Sequence, residues 1–195
     1  MKTNIYVLLF LFSLISCKKI DSGVGLTLPI KTQTGQNTFG FLLDSNVWIN
    51  RGTICSLFPG GSCSGNLKGE YYSTYGEIHI AADQIFYKND SLNTIENFDI
   101  FLTNFNAPRI YNTLLNDSII VLYKYSKPGK TSIRYFLSKT NPSFSITITK
   151  LDSLNKVVSG EFSGKLFKIL NDTSFITSTT DSILLKDGRF DIKME

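Results

Sequence analysis

From residue 39 onward, apolar and polar residues alternate with a period of two in one short stretch after another. In residues 144–149, Phe and Ile alternate with Ser and Thr, and residues 158–166 repeat the pattern. Successive side chains of a strand point to opposite faces, so this period predicts strands with one buried and one wet face. The sequence therefore predicts an antiparallel all-β domain, either a β-sandwich or an up-and-down β-barrel-like fold.

Turn residues between the alternating stretches predict hairpins. Asp44-Ser45-Asn46 separates residues 39–43 from 47–49, and residues 150–156 separate the two stretches described above. Asp187-Gly188 lies between two apolar stretches near the end of the chain, and an Asp-Gly pair in that setting is a strong hairpin signal.

The amino terminus has a different pattern, an apolar run over residues 5–16 that follows Lys2. A helix that crosses a bilayer needs about 20 apolar residues, so this run is too short to span one. A positive start, a short apolar run and a small residue at its end are typical of a secretory signal peptide. We therefore expect residues 1–16 to be a cleaved signal peptide.

The end of this run, Leu14-Ile15-Ser16-Cys17, resembles a bacterial lipobox. The resemblance implies that Cys17 becomes the first mature residue and carries acyl chains such as palmitate. Two or more acyl chains anchor a protein stably, and Lys18 and Lys19 would lie at the anionic head groups. Lys18 is not the aspartate that retains lipoproteins in the inner membrane, which favours the outer membrane of a Gram-negative cell. The sequence leaves open whether the protein faces the periplasm or the outside.

The remaining chain divides into a linker and one domain. Residues 17–38 are rich in Gly, Thr, Ser and Lys, so we predict a lipid-anchored flexible tether there. Residues 39–195 have the length of one domain, and 42% hydrophobic residues suffice for a packed core. The net charge of +4 is spread without basic blocks, which argues against a nucleic-acid partner.

Cys55 and Cys63 flank a Pro-Gly-Gly turn. An exported protein meets an oxidising compartment, so we predict a disulfide between them. The stretch Gly61 to Gly65 also has the spacing of a nucleophile elbow around Cys63, but the residues after it form a poor helix. His79, the single histidine, lies on an alternating strand and cannot make a zinc site alone. We expect no metal and no cofactor.

Aromatic and acidic residues suggest different functions. Trp48, Tyr71, Tyr72 and Tyr75 are candidates for an aromatic patch that binds a glycan or a protein. A pair of carboxylates brought together across the sheet would instead allow a glycan hydrolase. The acidic candidates are Glu70, Glu77, Asp83, Glu96, Asp99, Glu161 and Asp191. A third alternative is a lipocalin-like carrier with an apolar cavity.

An Asp-Ser-aliphatic tripeptide occurs four times. It resembles the O-glycosylation acceptor of Bacteroidetes-type exporters, with the serine as the modified residue. Asp-Ser also commonly ends a turn before a strand, and both interpretations are compatible. The candidate serines are Ser91, Ser118, Ser153 and Ser182.

Three stretches together resemble a family of Bacteroidetes lipoproteins of unknown function. Residues 28–49 hold Thr-Gly-Gln-Asn-Thr-Phe-Gly and a Trp, residues 146–167 hold Ser-Gly-Glu-Phe, and residues 187–194 begin Asp-Gly-Arg-Phe-Asp. Residues 56–140 do not carry the pattern, and Asp44-Ser45-Asn46 replaces an Asn-Gly-type turn. The resemblance implies an all-β lipoprotein and supplies no catalytic residues. We therefore expect a non-catalytic binding or structural module that contacts the membrane through its anchor and an unknown protein or glycan partner.

Overall fold

The computed structural model describes residues 26–52, 54–55, 63–64, 66–88, 91–113, 118–137, 143–171 and 176–195. Regular secondary structure in these residues is almost entirely β-strand. In the same residues, no helix has the length and apolar content that a membrane crossing requires. The predicted signal peptide and Cys17 lie outside the described residues.

The strands are numbered in the order in which the chain forms them. They are β1 Thr38–Leu43, β2 Asn46–Ile49, β3 Ile54–Cys55, β4 Cys63–Ser64, β5 Leu67–Tyr72, β6 Glu77–Lys88, β7 Ser91–Leu102, β8 Ile110–Asn112, β9 Ile119–Ser126, β10 Ile133–Phe136, β11 Phe144–Asp152, β12 Val157–Asn171 and β13 Ile176–Lys193.

One antiparallel sheet contains all of these strands except β3 and β4, which form a separate ribbon. Its order is β2-β1-β13-β12-β10-β9-β7-β6-β5. The long strand β12 pairs with β11 along its first half and with β10 along its second, and β8 adds to β11. The sheet curls into a half-barrel. The prediction of an antiparallel all-β domain is confirmed.

Backbone hydrogen bonds join distant parts of the curled sheet. Just after β2, Arg51 forms a parallel bridge with Gln84 of β6. The Arg51 N–H donates to Asp83 O at 3.0 Å, and the Ile85 N–H donates to Arg51 O at 2.9 Å. At the other side, the Glu195 N–H donates to Gly69 O at 3.1 Å. These bonds hold both edges of the sheet in its curled shape.

The concave face is filled by aromatic rings, as the period-two pattern requires. Phe39, Phe41 and Phe98 are completely buried, and Trp48 is almost so. The Phe41 ring lies 4.8 Å from the rings of both Trp48 and Phe98, and Phe39 stacks on Phe162 at 5.3 Å. Truncating one such ring to alanine typically costs about 3–5 kcal/mol.

Two glycines make room for these rings. A Cβ at Gly188 would lie 2.6 Å from the Phe162 ring, and one at Gly160 would lie 2.5 Å from the Phe190 ring. Real side-chain contacts are longer than this, so any larger residue would displace an aromatic ring from the core. Close packing therefore explains the glycine in Ser-Gly-Glu-Phe and the one in Asp-Gly-Arg-Phe.

Two of the three predicted hairpins are confirmed. β1 and β2 are joined by Asp44 and Ser45, whose φ angles of 46° and 76° are those of a type I′ hairpin turn. β11 and β12 pair across a turn at residues 153–156.

The hairpin predicted at Asp187-Gly188 is wrong. β13 runs straight through this pair, with β1 on one side and β12 on the other. The register shifts on both sides, and Asp187 has a φ of 51°, so the pair forms a β-bulge. An Asp-Gly pair supplies the same backbone freedom to a bulge as to a turn.

The tether predicted over residues 17–38 is also too long. Residues 29–37, which we call the strap, lie on the outer face of β11, β12 and β13 instead of leaving the domain. Arg189 donates to the Pro29 carbonyl at 3.3 Å, and Lys31 forms a 2.6 Å ion pair with Glu161. Lys150 donates to the Gln33 carbonyl at 3.0 Å.

Asp191 is the principal contact of the strap. Its side chain points outward from β13, yet the residue is only 1% exposed because the strap covers it. Burial alone raises its pKa, but hydrogen bonds outweigh burial and hold the pKa at about 2. The donors are Thr32 Oγ1 at 2.6 Å, Ser159 Oγ at 2.7 Å, and the backbone N–H groups of Gly35 at 2.9 Å, Thr34 at 3.0 Å and Gln36 at 3.1 Å.

We expect Asp191→Asn to destabilise the domain and to remove much of its loss of stability in acid. A carboxyl whose pKa falls from 3.8 to about 2 on folding contributes about 2 kcal/mol above pH 4, and this is lost as the pH falls through 2. Urea unfolding of wild type and variant between pH 2 and pH 7 measures the effect. Thr32→Val is the comparison, since it removes one of the five donors, costs about 1 kcal/mol and keeps only part of the acid dependence. Equal stability of D191N and wild type at pH 7 would contradict the role of the carboxylate.

Candidate functional site

A group of polar side chains points into the half-barrel near one end of its aromatic core. On β7, Phe98, Ile100 and Leu102 face inward and are buried. Because the side chains of a strand alternate, Glu96 faces the same way. We call Glu96, Gln84, Arg51, Trp48 and Tyr123 the Glu96 cluster.

One oxygen of Glu96 accepts two hydrogen bonds from aromatic residues. Trp48 Nε1 and the Tyr123 hydroxyl each donate to Oε2 at 2.8 Å. Burial, with the negative charge of Glu96 next in importance, raises the pKa of Tyr123 far above its usual value, so this hydroxyl remains a donor. Glu96 itself is only partly buried. The carboxylate is thus fixed at one oxygen while the residue keeps contact with solvent.

Gln84 lies directly opposite Glu96 in the β6–β7 ladder and faces inward with it. It is 3% exposed, and its Nε2 has no hydrogen-bond partner. Arg51, the bridge partner of Gln84, has a buried Nε that is likewise unpaired, while its guanidinium lies 4.1 Å from the centroid of the Phe86 ring. Nearly all buried donors in proteins are paired, so two unpaired donors on neighbouring residues mark this place as unusual.

Tyrosines continue the concave surface from Glu96 toward the open end of the sheet. Tyr125 is the cross-strand neighbour of Glu96, and Tyr135 is the neighbour of Tyr123, with ring centroids 6.2 Å apart. Tyr125 and Tyr135 are partly exposed. The Tyr135 hydroxyl donates to Asp181 at 3.3 Å, and Asp181 pairs with Lys168 at 3.1 Å. The cluster therefore has a wet, aromatic border.

The arrangement is suited to recognition of a polar molecule. It combines a fixed carboxylate, two unpaired buried donors and aromatic faces, which are the parts from which specific polar sites are built. Asp181 also borders the concave face, but β9, β10 and β12 lie between its strand and that of Glu96. Its contacts are with Tyr135 and Lys168, so it is not placed beside Glu96 as the second carboxylate of a glycoside hydrolase.

The predicted aromatic patch is not formed as a unit. Trp48 is 2% exposed and belongs to the core, because its apolar ring and its N–H are both satisfied inside. Tyr71 is partly buried and packs edge-on against Phe105 at 5.9 Å. Tyr72 and Tyr75 are on the surface, 46% and 72% exposed. Trp48 is thus wrong as a surface residue, while the two exposed tyrosines remain available.

The outer face of β5, β6, β7 and β9 presents another aromatic surface, centred on His79. The imidazole stacks on Phe101 at 4.0 Å, with the two rings nearly parallel. Ile120, the cross-strand neighbour of Phe101, is 46% exposed. Glu70 contacts His79 Nδ1 at 3.2 Å, and Asp99 contacts Nε2 at 3.4 Å. Two carboxylates thus bracket the imidazole on an open surface.

The other predicted site residues have different placements. β3 and β4 pair so that Cys55 lies directly opposite Cys63. Ser91, Ser118 and Ser153 are exposed, whereas Ser182 lies inside β13 and is partly buried. No group of three His, Cys, Asp or Glu side chains in the described residues is placed to hold a metal ion.

Sequence reasoning named Glu96 only as one of seven acidic candidates for a hydrolase pair, and it did not single out Gln84. The inward direction of Glu96 could be predicted from the sequence, because Glu96 lies at the same alternate positions as Phe98, Ile100 and Leu102. An acidic residue on the apolar face of a strand is an inward carboxylate. The cross-strand position of Gln84 has no comparable signal, since register depends on the folded ladder.

We predict that the pKa of His79 lies above 6.5. The hydrogen bond to Asp99 is the largest cause; burial opposes the rise and the hydrogen bond to Glu70 adds to it. The ion pairs therefore stabilise the fold below pH 6.5, and this contribution is lost as the pH rises through the folded-state value. Because the chain has a single histidine, an NMR titration of its imidazole measures the pKa directly. Asp99→Asn should lower the pKa of His79 more than Glu70→Gln does. An unchanged pKa in both variants would show that the two carboxylates do not raise it.

No protein-family model, curated protein or solved structure matches this chain. The resemblance to Bacteroidetes lipoproteins therefore remains a prediction from sequence patterns.

Proposed function

We propose that this protein is a lipid-anchored, non-catalytic binding module of the outer membrane, with the Glu96 cluster as its binding site. The unpaired donors of Gln84 and Arg51 beside the partly exposed Glu96 carry the proposal. An unpaired buried donor costs about 1–3 kcal/mol, so a ligand that satisfies it gains binding free energy. In the part of the chain that the structure describes, the two unpaired buried donors lie on neighbouring residues, which is the usual behaviour of a site kept for function.

The two alternatives draw less support from the structure. A carrier needs an apolar cavity, but rings of the core fill the concave face from Phe39 to Phe162. A hydrolase needs two carboxylates across a cleft, and the pair around His79 lies on an open outer face. Binding without chemistry remains the function best supported by the geometry.

Ligand-induced stabilisation tests the proposal. A fraction of cell-envelope small molecules that binds the folded protein raises its melting temperature. We expect the shift in wild type and its loss in Glu96→Gln, which keeps the shape but removes the charge. Glu77→Gln, the same change on the outer face of β6, should behave as wild type. An equal shift in E96Q and wild type would place binding elsewhere.

The lipid anchor at Cys17 is part of the proposal and rests on the lipobox pattern. Replacing Cys17 by alanine removes the thiol that would carry the acyl chains. Cys17→Ala should therefore move the protein from the membrane pellet to the supernatant. Cell fractionation with immunoblotting measures this. Cys63→Ser is the matched control and should pellet as wild type does. Membrane pelleting of C17A would contradict the anchor.

We also propose the disulfide between Cys55 and Cys63. Directly opposed positions of an antiparallel pair are within the Cα separation that a disulfide needs. Closing so short a loop stabilises by about 2–3 kcal/mol. Thiol titration of the unfolded, unreduced mature protein should find none, and Cys55→Ser should expose one. Two free thiols in the wild-type protein would contradict the proposed disulfide.

O-glycosylation of Asp-Ser-aliphatic sites remains a proposal as well. Ser91, Ser118 and Ser153 offer exposed hydroxyl positions, which a bulky glycan requires. Ser182 is less suitable because it is partly buried within β13, opposite Phe167 of β12.

A further inference from the structure

We propose that the Glu96 cluster binds a neutral sugar ring, the terminal or internal residue of a glycan. This inference rests on the proposed binding function and names its ligand class. It follows from which hydrogen bonds are missing, from the charges of the cluster and from the rings at its border.

The missing hydrogen bonds point to a hydroxyl group. Gln84 Nε2 needs an acceptor, while the Glu96 carboxylate accepts from any donor that reaches it. The two residues are direct cross-strand neighbours, so their Cβ atoms lie about 5 Å apart. A hydroxyl accepts and donates through the same oxygen, so one such group satisfies both side chains. Arg51 Nε needs a further acceptor next to them, which a second, neighbouring hydroxyl supplies.

The charges of the cluster favour a neutral molecule. Glu96 is negatively charged and Arg51, the bridge partner of its neighbour Gln84, is positively charged. A lone anion therefore meets the carboxylate, and a lone cation meets the guanidinium. A neutral ring with several hydroxyls meets neither penalty. It also keeps its hydrogen bonds to charged groups, which are the stronger kind.

The aromatic border supplies the rest of a sugar site. Tyr125 adjoins Glu96 and Tyr135 adjoins Tyr123, and both rings are partly exposed. Such rings offer an apolar face and a polar edge, which match the C–H face and the hydroxyl edge of a pyranose. Lys127 and Lys168 lie at the outer margin, where Lys127 Nζ is 5.7 Å from the Tyr125 ring.

The test is calorimetric titration of the full mature chain with a panel of probes. The panel holds glucose, galactose, mannose, N-acetylglucosamine and their short oligomers, with glycine, alanine, acetate and phosphate as non-sugar probes. We expect at least one sugar to bind, with affinity reduced at least tenfold by Glu96→Gln and by Gln84→Met. Glu77→Gln should leave the affinity unchanged, and melting curves check that each variant is folded. If E96Q does not fold, Q84M alone decides, because it removes one amide at nearly constant volume.

The outcomes separate the ligand class from the binding function. Two outcomes would overturn the assignment of a sugar as ligand and leave the proposed binding function standing. One is binding of a non-sugar probe at the same residues. The other is binding of no panel member while an envelope fraction still stabilises wild type but not E96Q. A high-resolution structure in which water alone occupies Gln84 Nε2 and Arg51 Nε, in crystals soaked with the stabilising fraction, overturns both. Sugar binding that is equally strong in Q84M and wild type overturns the assignment to this cluster.

Discussion

The packing of aromatic rings on the concave face is the constraint on which the rest of the structure depends. Phe39, Phe41, Phe98 and Phe162 meet inside the curl, and Gly188 has no side chain so that Phe162 can occupy its place. Since side chains alternate along a strand, fixing these rings inward fixes the direction of every other residue on the same strands. Glu96 faces inward for this reason alone, two residues before Phe98. A one-residue slip of β7 would put Glu96 in water and Phe98 on the surface.

Two buried polar centres among the described residues, Asp191 and the pair Gln84 and Arg51, behave in opposite ways. The Asp191 carboxylate accepts five hydrogen bonds, which come from the strap and from Ser159. Gln84 and Arg51 each keep one buried donor without a partner. A satisfied carboxylate stabilises the fold, and an unsatisfied donor costs free energy in the unbound protein. The contrast separates a structural contact from a place where a ligand is missing.

The local sequence pattern was sufficient to predict the strands. It failed where contacts with residues distant in the sequence determine the local structure. The alternation in residues 144–149 and 158–166 predicts β11 and β12 because both have one face in the core. Asp187-Gly188 has the same local chemistry in a bulge as in a turn, and only the partner strands on both sides distinguish them. The composition of residues 29–37 predicts a tether, but Asp191, more than 150 positions away, binds them to the sheet.

The strap connects the fold to the proposed anchor. Eleven residues separate Cys17 from Pro29, which Arg189 holds, so in the proposed lipoprotein the domain would lie at most about 43 Å from the acyl chains. A sugar held by a few hydrogen bonds and two tyrosine faces is bound weakly in free solution. Confinement beside a surface rich in glycans raises the effective concentration of the site, and a weak contact then suffices. If the proposed anchor and site are right, the Asp191 contact would serve binding as well as stability, because it fixes residues 29–37 to the sheet.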